Sequence, residues 1–90
     1  MKVPRSFELQ GRTIRVIEKE LGADAVGQWD ARRDEITLIP GLPPDLRYAS
    51  FLHEVCHAAL DALGRDDLSE NEPFVDGLAG LIHQMLKSAR

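Results

Sequence analysis

The chain lacks the residues that would commit a small protein to a covalent framework or to a nucleic-acid surface. Its 90 residues include one cysteine, Cys56, so no internal disulfide can form and the fold is not a disulfide scaffold. Basic charge is also short: 11 Lys+Arg against 15 Asp+Glu leave a formal net charge of -4. The only adjacent basic pair, Arg32-Arg33, is followed at once by Asp34 and Glu35, as in a solvated turn. With no basic stripe to meet phosphates, a nucleic-acid partner is not expected. No apolar run is long enough to span a bilayer, and Met1-Lys2-Val3-Pro4-Arg5 does not resemble a signal peptide, so the expectation is no membrane partner and a cytoplasmic location. Repeats, low-complexity tracts and linkers are missing too.

What is present is ordinary for a soluble globular protein, with 43% hydrophobic and 29% charged residues. A chain this short supports one core, so residues 1–90 are read as a single domain. A metal that binds only the folded state would add stability that disulfides do not supply here.

The order of elements is β first, then α. Ser6 to Leu9 and Arg12 to Ile17 alternate apolar and polar residues around Gln10-Gly11, as two short strands do. Thr13 to Leu21 also fits a helical period through Ile14, Ile17, Glu18 and Leu21, which favours a strand early and a helix late. Val26 to Asp30 and Glu35 to Ile39 flank a polar turn and suggest a hairpin, ended by Pro40-Gly41-Leu42-Pro43-Pro44. Asp45 is placed to cap a helix that runs to about Leu63 and stops at Gly64. Its expected core stripe is Leu52, Val55, Cys56, Ala59, Ala62 and Leu63. After a loop at Arg65-Asp66-Asp67-Leu68, a second helix reaches about Lys87 and buries Phe74, Val75, Leu78, Leu81, Ile82, Met85 and Leu86. The fold class expected is α+β: a small antiparallel sheet of about three strands against two C-terminal helices that pack antiparallel.

The chemistry concentrates in His53-Glu54-Val55-Cys56-His57. Residues four apart on a helix lie about 40° apart in projection and about 6 Å apart in rise, so the two imidazoles stand side by side and can share a tetrahedral zinc. Glu54 is offset by one residue, where a carboxylate can act as general base beside a metal-bound water without being a ligand. On a single-stripe wheel both histidines fall on the shoulder of the core face, with Glu54 turned further towards solvent. The bland alternative is an exposed face carrying three ordinary polar residues. Two of only three histidines at this spacing around a glutamate weigh against it.

A third ligand is required. A layout with a histidine six residues after the second and a glycine midway is excluded, because Leu63 and Leu60 occupy those positions. Glu72 and Asp76, four apart at the start of the second helix, share a face. If the helices are antiparallel, Glu72 can complete a His-His-Glu set and Asp76 can hydrogen-bond the outward nitrogen of a ligand histidine. Gly77 and Gly80 would let the helices come close. Glu70, Asp66 and Asp67 are alternative ligands, and Ser69 to Glu72 also fits a capping box, which Pro73 weakens. His83 lies about 16 Å further along the helix and is read as a half-buried or surface residue. Cys56 is read as a small core residue, Asp61 as either an orienting or a solvated acid, and Tyr48 as a weak oxyanion candidate pointing to the core.

The pattern HExxH followed by ExxxD, here His53 to His57 and Glu72 to Asp76, resembles the thermolysin-type (gluzincin) zinc metallopeptidases. In size and in strands-then-helices order the chain is also similar to small ImmA/IrrE-like metallopeptidases of bacteria and phages and to minimal zincins. The resemblance covers about the last forty residues. It implies Zn2+ held by His53, His57 and Glu72, Glu54 as the catalytic carboxylate, Asp76 as a histidine's partner, and a peptide or protein substrate. It further implies an edge strand that pairs with extended peptide, for which Glu35 to Ile39 is the candidate. No substrate-pocket domain of the full gluzincins is identifiable. The rival readings are a non-catalytic zinc-stabilised binding or regulatory module, such as a phage or bacterial adaptor, and a metal-free helical interaction domain.

Overall fold

A computed structural model describes residues 2–90 as a four-stranded sheet covered by helices. The first hairpin joins β1 (Ser6–Leu9) to β2 (Arg12–Glu18). Its two-residue turn has positive φ at both Gln10 and Gly11, the backbone twist that suits a tight hairpin. The second hairpin joins β3 (Gly27–Asp30) to β4 (Glu35–Leu38), again antiparallel. The sheet order is β1-β2-β4-β3, and β2 pairs with β4 in parallel.

The α+β class therefore holds, with four strands in a mixed sheet in place of about three antiparallel ones. The physical reason lies in the second hairpin. Every residue of β4 is buried, with Ile36 and Leu38 fully enclosed, whereas β3 carries Gln28 and Asp30 and tolerates an edge. The hairpin docks with its apolar arm inward, which sets β4 beside β2 and leaves β3 outside. The helix considered for the end of residues 13–21 does not form, since β2 continues to Glu18.

Helix α1 (Pro44–Ala62) starts with Pro44 in its first turn and no side-chain cap. Asp45 is not the cap: it lies in the first turn and accepts a hydrogen bond from Lys87 Nζ at 2.6 Å. At the other end Gly64 adopts φ +72°, the Gly64 amide donates to the Asp61 carbonyl and the Arg65 amide to that of Leu60. This doubly bonded left-handed stop is what a glycine after a helix provides. A single turn, α2 (Asp66–Ser69), then leads into α3 (Glu72–Ser88), capped by Asn71, whose Oδ1 accepts from the Phe74 amide at 3.2 Å. Three cross-helix pairs, Asp45 with Lys87, His53 with Asp76 and His57 with Glu72, occur in opposite order along α1 and α3, so the two run antiparallel.

One core lies between sheet and α1, with Ile14, Ile36, Leu38, Phe51 and Leu52 at its centre. A second joins α1 to α2 and α3 through Cys56, Leu60, Val75 and Ala79. Packed from two sides, α1 buries residues around most of its circumference, including Ser50, Glu54 and Ala58, and the single-stripe expectation fails for it. Leu63, assigned to that stripe, is 67% exposed. On α3 the buried face narrows to Val75 and Ala79, with Leu78, Ile82 and Leu86 half-buried, while Phe74, Leu81 and Met85 are exposed. Gly77 and Gly80 face open space, so close helix approach is not their role. Among the described residues no helix is long and apolar enough to cross a membrane.

Cys56 lies in the second core at 4% exposure, and burial pushes its thiol above the usual range. A thiol reagent should react at least about tenfold more slowly with the native protein than with the denatured chain, in which one thiol titrates. Equal rates in the two states would contradict this packing.

Candidate metal centre

Two turns of α1 present His53 and His57 side by side, with ring centroids 5.0 Å apart. Across from them stands Glu72, the first residue of α3. Its Oε2 lies 3.2 Å from His53 Nε2 and its Oε1 lies 2.9 Å from His57 Nε2. One donor atom from each of the three residues falls within 4.8 Å of the other two, and among the described residues the set stops at these three. Metal–ligand bonds of about 2.0–2.1 Å in a tetrahedron require donors roughly 3.3 Å apart, so the spacing fits a small divalent ion with little movement. The His-His-Glu group can hold a metal ion.

Both Nε2 atoms turn inward because both Nδ1 atoms are engaged outside. His53 Nδ1 lies 2.9 Å from Asp76 Oδ1 and His57 Nδ1 lies 3.0 Å from Ser69 Oγ. Such outer partners fix ring orientation and tautomer at metal sites. The spacing of Asp76 from Glu72 predicts this place for it. The sequence does not predict Ser69 here, since its position suggests a helix cap. Asn71 takes the capping task instead.

Glu54 is not turned to solvent. It is 8% exposed, on the face of α1 that packs under the sheet, and its carboxylate lies beneath Gly27 of β3. Burial pushes the Glu54 carboxyl above the usual carboxylate range; His53 and His57 pull it part of the way back, and Glu72 adds to the rise. Two clefts open beside it. One, of about 370 Å³, is bounded by Val26, Gly27, Ala49, Ser50 and Asp76 together with His53 and Glu54. The other, of about 310 Å³, runs past Gln28, Trp29, His57 and Glu72. The histidines are 22% and 15% exposed and Glu72 is 58% exposed, so the centre is sheltered below and open above.

β3 forms the wall of both clefts and is an edge strand, with β4 on one side only. Glu35 to Ile39, the candidate for a peptide-pairing edge, is internal and cannot serve, because β4 already has neighbours on both sides. The free edge beside the centre belongs to Gly27–Asp30. Trp29 holds it in place by donating its indole N–H to Asp61 Oδ2 at 2.7 Å. Asp61 thus anchors the strand to α1 and does not orient His57. Tyr48 and His83 lie tilted against each other with centroids 5.9 Å apart near the Asp45–Lys87 pair, lining a different cleft, so Tyr48 is no oxyanion donor for this centre. Glu70, Asp66 and Asp67 do not join the ligand set, and Asp67 pairs with Arg65 instead.

Comparisons with protein-family models, curated proteins and solved structures find nothing that matches the chain. The metal centre therefore stands on the geometry of its own residues.

Gly27 gives that geometry a sharp test. A Cβ there would meet Leu38 Cδ2 at 3.2 Å and Glu54 Oε2 at 3.3 Å, closer than side chains normally pack. Gly27→Ala should displace the Glu54 carboxylate while leaving metal affinity unchanged. The shift needed is a few tenths of an ångström, and zinc titration of the variant beside wild type checks the unchanged affinity. Weakened metal binding in a well-folded Gly27→Ala protein would mean that the position of Glu54 under the strand bears on the three donors.

Proposed function

We propose that this chain is a zinc-dependent hydrolase of the HExxH type that cleaves peptide bonds, with His53, His57 and Glu72 as zinc ligands and Glu54 as general base. The observation that carries the reading is a three-donor centre left open on the side where a buried carboxylate and a free strand edge meet. Structural zinc sites are closed by four protein ligands, whereas catalytic ones keep a position free. Two imidazoles and one carboxylate suit zinc better than calcium or magnesium, which favour all-oxygen shells. Bound there, the metal supplies a Lewis acid for a carbonyl oxygen and lowers the pKa of an adjoining water.

The chain's own residues supply the rest. Glu54, confined between α1 and β3, takes a proton from the attacking water and returns it to the leaving amine. An extended peptide fits the free edge of β3 as an added strand, with side chains entering the two flanking clefts. The test is to incubate the zinc-loaded protein with a degenerate peptide library and search for new termini. Cleavage that disappears in Glu54→Gln supports the reading. No cleavage by fully zinc-loaded wild-type protein would remove the peptidase assignment.

A further inference from the structure

Ser69 is a buried side chain with no duty in the backbone around it. It closes the single turn α2, where its own amide donates to the Arg65 carbonyl at 3.0 Å and the next amide, of Glu70, donates to that of Asp66 at 2.9 Å. Leu68 packs into the second core and fixes the turn against α1. The helix that follows is capped by Asn71, so the Ser69 hydroxyl is released from capping. It points to His57 Nδ1 at 3.0 Å, at 9% exposure.

The two histidines are thus held by unlike groups. Asp76, as a carboxylate, can only accept, and it demands a proton on His53 Nδ1. A hydroxyl can accept or donate, so Ser69 holds His57 in whichever tautomer the inner nitrogen needs. A metal ligand must present a bare Nε2, which puts the proton on Nδ1, facing Ser69 Oγ.

We propose that Ser69 is a positioning residue of the metal centre: its hydroxyl accepts the Nδ1–H of His57 and so fixes the ring orientation that turns Nε2 inward. The inference rests on the metal reading above and adds to it a residue outside the HExxH and ExxxD positions. It also gives α2 a purpose. The turn carries Ser69 to the far side of His57 before Glu72 arrives on the near side.

The test uses the full chain and zinc alone, with affinity measured by competition against a chelator. Ser69→Ala should bind zinc about 10–100-fold more weakly than wild type, the usual effect of losing an outer partner. Ser69→Thr, which keeps the hydroxyl, should recover most of that loss. In the zinc-loaded protein, NMR should show a His57 Nδ1 proton in slow exchange in wild type and in Ser69→Thr, and in fast exchange in Ser69→Ala. Asp45→Ala serves as control: it removes the α1–α3 pair with Lys87 and should leave zinc affinity unchanged. Wild-type affinity in Ser69→Ala, or equal weakening in Ser69→Ala and Ser69→Thr, would overturn the role of Ser69 alone. Absence of zinc binding by wild type would overturn the metal reading and this inference with it.

Discussion

His57→Ala is expected to abolish tight zinc binding. The substitution removes one of three donors and strands the Glu72 carboxylate, which touches His57 Nε2 at 2.9 Å. Loss of an outer partner alone weakens metal sites by about 10–100-fold, so loss of a ligand should cost at least about 100-fold. The effect should also be visible as stability. A ligand that binds only the folded state at about a thousand times its Kd adds about 4 kcal/mol. For a domain of this size that corresponds to a rise in Tm on the order of 20 °C. Wild type should show such a rise on zinc addition, and His57→Ala should show little. The metal-free melts of the two proteins should differ far less, because His57 sits in a half-open cleft outside both apolar cores. Calorimetric melts with and without zinc measure all four states. A large zinc-induced shift surviving in His57→Ala would mean that the ion binds elsewhere.

Glu54→Gln should give the opposite division of effects. Glutamine keeps the shape of the side chain beneath Gly27 and removes only its proton-accepting capacity. Since burial already disfavours the charge, an uncharged amide there is not expected to destabilise the fold. Zinc affinity should stay near that of wild type, because Glu54 is not among the three donors. Turnover should drop by about 10²–10⁴-fold, the range that general acid–base catalysis contributes. The measurement is kcat on the best peptide found in the library, beside zinc content on the same samples. If Glu54→Gln retains activity while holding zinc, the base is another group.

These contrasts follow from where the sequence was informative. The HExxH residues were legible because helix geometry alone sets His53 beside His57. The ExxxD pair was legible for the same reason, and the antiparallel packing of α1 on α3 brings the two sets face to face. That spacing favours Glu72 over Glu70, Asp66 or Asp67, but its approach to the histidines is not set by spacing. It depends on the turn α2, read from sequence as a plain loop, which swings Glu72 towards the histidines.

The burial of Glu54 was hidden for a different reason. A helical wheel assumes one apolar face, and α1 has neighbours on two sides, so a position that seems turned to solvent meets β3 instead. Strand order was hidden as well, because both arms of the β3–β4 hairpin look alike locally. Only the full burial of Glu35–Leu38 against the polar content of Gly27–Asp30 decides which arm is inside. The same non-local choice puts the free edge beside the centre on β3 and not on β4. Trp29 carries no motif and Ser69 only that of a helix cap, since each makes its one side-chain contact with a distant element.

The most direct measurement is the zinc content of the purified full chain, taken after dialysis against metal-free buffer and beside His57→Ala. Wild type should retain about one zinc per chain, removable by a strong chelator and restored on adding zinc back, and His57→Ala should retain none. A wild-type protein that neither retains nor takes up zinc would contradict the metal centre on which the account depends.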